Sequence, residues 1–376
     1  MGNHLSFTIT ESELARQKAS EGTGPTLEPR GTPDAIMVIV IALVYVIDFI
    51  ATIYVLWNRN YPPLKAKNPI IMACVMVANI MWLVGDLQAN GHVPLANTPM
   101  VKCMVFGVWL RFFLGVCAMF SLVSLRTYGL YRVFRRNLPY HTLGLYLPFA
   151  IYCLCSIVFG IISLVLQPTQ TAKFNPQLDL CNYNADYLIG MFLFLWVTVA
   201  IGVILQWKIR NIKSSFNESR ETLIANIIIF VALMFATVMR YVLPRYPLKI
   251  SLRIINTCLD HLVGNSVWWF IMGVPLYKCL FDRERYLNQW ISKLRKDGLQ
   301  KEYNVVLDST ATSSHGASRS HKMQGSLLRM NSVGSKGGGA FYPMNDSIHD
   351  DKDAGFSTLD LNQQFGLFDT NKHRLV

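Results

Sequence analysis

Long apolar runs of the sequence contain ionisable residues, among them Asp48, Asp86, Arg111, Asp260 and His261. A charge at the centre of a bilayer costs at least ~2.5 kcal/mol, so these side chains should face protein or water rather than lipid. Groups placed in this way bind polar ligands or carry ions and protons. Asp86 and Arg111 are expected at similar depth, which makes them a candidate ion pair.

The same residues do not predict a metal centre or an enzyme. His261 is the only histidine within an apolar run, which is too few for a histidine-ligated metal site. No pair of nucleophile and base stands out. The last apolar run, from Leu252 to Leu276, has no lysine. A retinal-binding protein, which needs a lysine there for a Schiff base, is therefore disfavoured. We therefore expect neither a cofactor nor catalytic activity.

Seven apolar runs position these residues, and a helix needs about 20 residues to span a bilayer. They cover residues 35–57, 70–88, 101–125, 143–166, 186–207, 222–243 and 252–276. Only 15% of the 376 residues are charged, whereas soluble domains have about a quarter. The sequence predicts an all-α membrane protein, a seven-transmembrane helix bundle in a lipid bilayer.

Basic residues concentrate in alternate loops and after the last run. Residues 89–99 contain no lysine or arginine, and residues 167–185 contain only Lys173. The positive-inside bias therefore predicts an outside N-terminus and a cytosolic C-terminus, with the plasma membrane as the expected location. The net charge of +12 indicates contact with lipid head groups rather than nucleic acid.

The chain divides into four predicted parts. Residues 1–34 lack apolar periodicity and are expected to be a disordered extracellular N-terminus. Residues 35–281 form the membrane domain. Residues 282–297 place apolar side chains at helical spacing, which predicts an amphipathic helix on the inner leaflet. Residues 298–376 are rich in serine and glycine, so we expect a disordered cytosolic tail.

Three cytosolic stretches carry a more specific signal. The first loop reads Arg-Asn-Tyr-Pro-Pro-Leu-Lys-Ala over residues 59–66, and the third run ends in Arg126-Thr127-Tyr128. The sixth run is preceded by Phe-Asn-Glu-Ser-Arg over residues 216–220. These stretches, with Pro-Leu-Tyr and Leu-Phe at the end of the seventh run, resemble class C (glutamate-type, family 3) G-protein-coupled receptors. The resemblance spans residues 35–285.

The resemblance implies a receptor that signals to a heterotrimeric G protein. It implies a disulfide between Cys103 and Cys181, which agrees with their predicted position at helix ends on one side. It also implies an ion-pair lock between Arg126 and Glu218, broken when helix 6 moves outward. The residues expected at the coupling surface are Lys65, Arg126, Arg132, Asn217 and Glu218.

The ligand is not implied by the resemblance. Thirty-four residues are too few for the large extracellular module of the family, so the chain resembles divergent members found among fungi and amoebae. An unknown extracellular ligand is expected in the outer half of the bundle. The residues expected to line its cavity are Asp86, Trp109, Arg111, Asp260 and Trp268.

The alternative is a transporter or an ion or proton pathway. Asp48, Arg111, Asp260 and His261 would line such a path. The sequence lacks the internal repeat and paired broken helices that carriers show, which favours the receptor. The sequence leaves homodimerisation open.

Overall fold

The computed structural model describes residues 6–21, 27–136, 143–209, 219–242 and 249–296. Seven long helices dominate this part of the chain. Their bounds are Thr32–Trp57 (helix 1), Pro69–Ala89 (helix 2), Met104–Cys117 continued by Ala118–Arg136 (helix 3), Leu143–Val165 (helix 4), Ala185–Ile209 (helix 5), Ser219–Val242 (helix 6) and Ile250–Phe281 (helix 7). The first half of helix 3, Met104–Cys117, is wound as a π-helix.

Helices 1 to 6 are long and apolar enough to cross a membrane. Helix 7 has 32 residues, which also suffices for a span, but polar residues such as Asn256 and Asp260 lower its hydropathy. Helix 4 exposes large apolar side chains along its length, among them Leu147, Leu154 and Ile161. Such a face is suited to lipid, and the predicted all-α membrane bundle is confirmed.

Helices 2 and 3 approach each other through glycine. A Cβ atom on Gly85 would lie 2.5 Å from the Cβ of Arg111 and 2.5 Å from the carbonyl oxygen of Phe106. A Cβ atom on Gly115 would lie 2.7 Å from the Cα of Trp82. Small residues allow this kind of backbone approach between membrane helices. The approach places Arg111 beside helix 2.

A disulfide ties helix 3 to the connection between helices 4 and 5. That connection contains an antiparallel hairpin of β1 (Ala172–Asn175) and β2 (Leu180–Tyr183). Cys181 in β2 is bonded to Cys103, with their Cα atoms 5.7 Å apart, so the predicted disulfide is confirmed. We call this end of the bundle the disulfide face and the other end the opposite face.

The N-terminal segment differs from the expectation of disorder for residues 1–34. It forms a helix at Glu11–Glu21, and Arg30 is buried against the disulfide face. The Arg30 side chain donates to the Asp179 carboxylate at 2.7 Å and to the Gly91 carbonyl at 2.8 Å. From composition alone, charged residues of this segment are expected to be solvated. In the structure, Arg30 instead pairs with residues that are distant in the sequence, and these contacts order the segment.

The opposite face carries a juxtamembrane helix at Arg283–Lys296, close to the predicted 282–297. Its Trp290 and Ile291 are buried, and the Tyr61 hydroxyl donates to the carbonyl of Arg283 at 2.8 Å. Burial raises the pKa of Tyr61 to about 12, so the phenol keeps its proton at neutral pH. The predicted disordered tail lies outside the described residues.

Replacing Cys103 with serine should lower the stability of the folded bundle. The disulfide joins residues 78 positions apart, and losing such a bond typically costs about 2–4 kcal/mol. Thermal denaturation in detergent measures the change. Cys258→Ser, which removes a free cysteine of helix 7, is the control; an equal loss in both variants would contradict the expectation.

Candidate functional site

Arg111 joins three membrane helices near the disulfide face. Its Nε lies 2.7 Å from Asp86 Oδ1 on helix 2, and its Nη2 lies 2.9 Å from Asp260 Oδ2 on helix 7. The Asp86 side chain is fully buried, whereas 29% of the Arg111 side chain and 15% of the Asp260 side chain are exposed. The candidate pair inferred from depth is therefore present, and Asp260 extends it.

Asn90 links this ion pair to helix 7. Its Nδ2 donates to Asp86 Oδ2 at 2.7 Å and to Thr257 Oγ1 at 2.7 Å. Its Oδ1 accepts a hydrogen bond from Asn256 Nδ2 at 3.0 Å. Asn90 sits at the C-terminal end of helix 2, so its side chain reaches both helices.

The hydrogen bonds continue to the disulfide face through His92. One ring nitrogen lies 2.8 Å from Thr257 Oγ1 and the other 2.8 Å from Asp34 Oδ1. Arg253 pairs with the same carboxylate through both of its oxygens, at 3.1 and 2.8 Å. All four residues are buried, so an uninterrupted polar chain runs from Asp34 to Arg111.

The inner end of this chain is His261. Its Nδ1 lies 3.0 Å from the Tyr45 hydroxyl, and its Nε2 lies 3.5 Å from Asp86 Oδ2. The Trp82 ring lies close by, with its centroid 6.5 Å from that of the imidazole. Helices 1, 2, 3 and 7 thus meet in one group of charged and polar side chains, Tyr45, Asp86, Arg111, Asp260 and His261.

A cavity of about 180 Å³ opens beside this group. Most of its wall is aromatic or aliphatic and comes from helices 3, 5 and 6. The apolar wall includes Phe112, Val116, Phe120, Met191, Phe192, Leu195, Ile229 and Leu233. The polar wall includes Asn90, Arg111, Tyr183, Arg240, Asn256 and Asp260. A mostly apolar cavity with a few polar groups on one side is typical of small-molecule binding sites.

The structure brings only some of the predicted ligand residues to this cavity. Arg111 and Asp260 line it, and Asp86 lies behind them. Trp109 packs instead on Phe113, with ring centroids 5.4 Å apart, and Trp268 is fully buried against Trp269 at 5.1 Å. Neither tryptophan lines this cavity. The π-helical winding around Trp109 changes the phase that α-helical spacing assumes.

Four polar residues that the sequence did not assign to the site also line the cavity: Asn90, Tyr183, Arg240 and Asn256. Tyr183 follows Cys181 by two positions, so the disulfide itself brings this tyrosine to the cavity. Burial raises the pKa of Tyr183 to about 12, against the opposing effect of the Arg111 charge. Its hydroxyl therefore remains a neutral donor. Asn90 lies beyond the predicted end of helix 2, at 88, and carried no signal of its own.

Asp48 is separate from the other residues of the predicted ion path. One of its oxygens accepts a hydrogen bond from Trp269 Nε1 at 2.7 Å. Neither Asp48 nor Trp269 contributes to the wall of the cavity. Arg111, Asp260 and His261 thus lie together, and Asp48 belongs to another contact between helices 1 and 7.

The opposite face contains three of the predicted coupling residues, Lys65, Arg126 and Arg132. Buried Arg126 donates from Nε to the Lys67 carbonyl at 3.1 Å, and the Lys67 ammonium lies 3.3 Å from Glu221 Oε2 at the start of helix 6. Arg132 is buried near Gly144, and Lys65 is exposed. The predicted Asn217 and Glu218 lie outside the described residues.

The fold is a seven-helix membrane bundle with one disulfide at its disulfide face within the described part of the chain. The chain matches the family described as "7 transmembrane sweet-taste receptor of 3 GCPR" over residues 30–280. It therefore belongs to this family, the seven-helix domain of class C G-protein-coupled receptors, which is a family of receptors and not an enzyme class. No curated protein matches the chain.

Replacing Arg111 with glutamine should destabilise the bundle by about 3 kcal/mol, because Asp86 would remain buried without its cation. The value is at the low end for a broken buried pair, since Arg111 is partly exposed. Thermal denaturation in detergent measures the change. Asp186→Asn, at an exposed position in the first turn of helix 5, should have little effect; a stable Arg111→Gln would refute a structural role for the pair.

Proposed function

We propose that the chain is a G-protein-coupled receptor whose extracellular ligand binds in the cavity beside Arg111. The observation that carries this proposal is the position of the Arg111–Asp260 ion pair. The pair forms part of the cavity wall and also joins helix 3 to helix 7. A ligand that contacts either residue therefore acts directly on the packing between two membrane helices.

The chemistry of the wall suggests an amphipathic small molecule. Phe112, Phe120 and Phe192 offer aromatic surface, while Tyr183 and Asn256 offer polar groups near the ion pair. Burial of the ligand's apolar part would supply affinity, and the polar groups would set its orientation. A ligand changes the equilibrium between receptor states only through its different affinity for them.

The opposite face supplies the element that such a change would affect. Arg126 holds the first loop through the Lys67 carbonyl, and Lys67 in turn pairs with Glu221 of helix 6. Outward movement of helix 6 would break the Lys67–Glu221 pair. Exposed basic residues on this face, among them Lys65, would offer complementary charge to a G protein.

The orientation follows from charge and redox chemistry. Basic residues are abundant in the connections at the opposite face, which supports a cytosolic location for that face. The Cys103–Cys181 disulfide supports an oxidising environment for the other. In this orientation, which suits the plasma membrane, the cavity is nearer the outside.

The function can be tested with a cavity-filling substitution. Met191 lines the cavity, so Met191→Trp should abolish the response to an activating compound found by screening for G-protein dissociation. Leu193→Trp places the same side chain on an exposed position of helix 5 and should respond normally. Equal responses of both variants would exclude the cavity as the ligand site. The absence of nucleotide exchange on any reconstituted G protein would contradict the receptor function.

Replacing Glu221 with glutamine should raise basal G-protein activation, because the first loop would no longer hold helix 6 through Lys67. The two side chains are partly exposed, and exposed pairs contribute up to about 1 kcal/mol, so an increase of up to about fivefold is expected. Nucleotide exchange without ligand measures it. Glu284→Gln on the exposed side of the juxtamembrane helix is the matched control. Unchanged basal exchange at normal surface expression would remove this pair from the mechanism.

A further inference from the structure

The inner part of the polar group contains an imbalance of charge. Two carboxylates, Asp86 and Asp260, face the single guanidinium of Arg111, and the neighbouring His261 is neutral unless it binds a proton. This set therefore has one more negative than positive charge. A net charge buried among membrane helices is expensive, and one added positive charge would cancel it.

We propose that Asp86, Arg111, Asp260 and His261 form a binding site for one proton, and that extracellular protons are a second input to the receptor. The proton site is argued from the contacts of these four residues. The role of protons as an input rests on the proposed receptor function, because only a signalling protein converts proton binding into an output.

The geometry offers a place for the proton. The Nε2 atom of His261 is buried and makes no hydrogen bond within the described part of the chain, and it faces Asp86 Oδ2 at 3.5 Å. On the other side, Nδ1 lies 3.0 Å from the Tyr45 hydroxyl. A protonated imidazole would direct one N–H to the phenol oxygen and the other to the carboxylate. The proton comes from water and is returned to water on release.

The charged and titratable groups around the site come from several elements. The groups that act electrostatically on Asp260 and His261 are Asp86, Arg111 and His92, besides each other. Helix 1 contributes Tyr45 and, one turn further along, Asp48, whose carboxylate accepts a hydrogen bond from Trp269. Asp34 and Arg253 neutralise each other at the outer end of the chain of hydrogen bonds, and Arg240 stands on the cavity wall contributed by helix 6.

Two connections link the site to the rest of the protein. The cavity reaches Arg111 and Asp260, so water can bring protons to them. Hydrogen bonds through Asn90, Thr257 and His92 connect the same residues to the disulfide face. A protonated imidazole beside Asp86 would compete with Arg111 for that carboxylate and so weaken the contact that positions helix 3. The charge of the site therefore controls the packing of the helices.

The pH range to examine is 6 to 8, because an unperturbed imidazole titrates there, whereas ordinary carboxyl groups titrate well below it. The binding of a single proton changes an equilibrium by at most about tenfold per pH unit. This value limits the effect that the receptor can show.

Proton binding is tested on the purified full-length chain in lipid nanodiscs, without G protein. Potentiometric titration between pH 8 and 6 should show that Asp260→Asn takes up about one proton fewer than the unsubstituted chain, since the substitution removes the excess charge. Asp186→Asn, with the same change at an exposed position, should match the unsubstituted chain. Asp86→Asn makes the same charge change if Asp260→Asn does not fold. Equal proton uptake in all variants overturns the proposed site. Proton uptake that depends on the sodium concentration at constant pH also overturns it, because the added positive charge would then be a sodium ion.

The signalling part is tested by nucleotide exchange on a G protein at external pH values between 8 and 6. Exchange should change by up to about tenfold per pH unit in the unsubstituted chain and in Asp186→Asn, and by less than about twofold in Asp260→Asn. Proton uptake with exchange that is independent of pH overturns protons as an input. Absence of exchange at every pH contradicts the receptor function, while the titration still decides the proton site.

Discussion

The cost of burying charge within a membrane determines how this bundle is assembled. Asp86 is fully buried and therefore needs a cation, and Arg111 meets it because Gly85 lets helix 3 come close to helix 2. Arg111 has further donors that one carboxylate does not satisfy, and Asp260 of helix 7 accepts from one of them. The relative positions of helices 2, 3 and 7 thus follow from the requirements of one guanidinium group.

The same helices connect the two faces of the molecule. Helix 7 carries Asp260 in its first half and continues without interruption to Phe281, where the juxtamembrane helix begins. Between these points, Trp268, Ile271 and Met272 are fully buried in the central core. A densely packed core of this kind changes between discrete arrangements rather than deforming gradually. Movement at Asp260 therefore has a physical route to the residues around Tyr61, which contacts the juxtamembrane helix.

The sequence predicted those features of the structure whose physical cause is local or common to every membrane protein. Apolar length indicated the seven helices, and the cost of buried charge indicated that Asp86 and Arg111 pair. It failed where the cause is a contact between distant segments. The order around Arg30 depends on Asp179, 149 positions away. The misplacement of Trp109 has a different origin, because a π-helix has the same apolar composition as an α-helix and the pattern does not reveal it.

The location of the charge imbalance has a consequence for the unknown ligand. Arg111 and Asp260 belong both to the proposed proton site and to the cavity wall, so the two binding events are linked and each alters the other by the same factor. A ligand with a cationic group near Asp260 would supply the charge that the proton otherwise supplies, and the two would compete. A ligand with an anionic group near Arg111 would bind more tightly to the protonated receptor. The sign of the pH dependence of ligand affinity therefore reports the charge of the ligand's polar end.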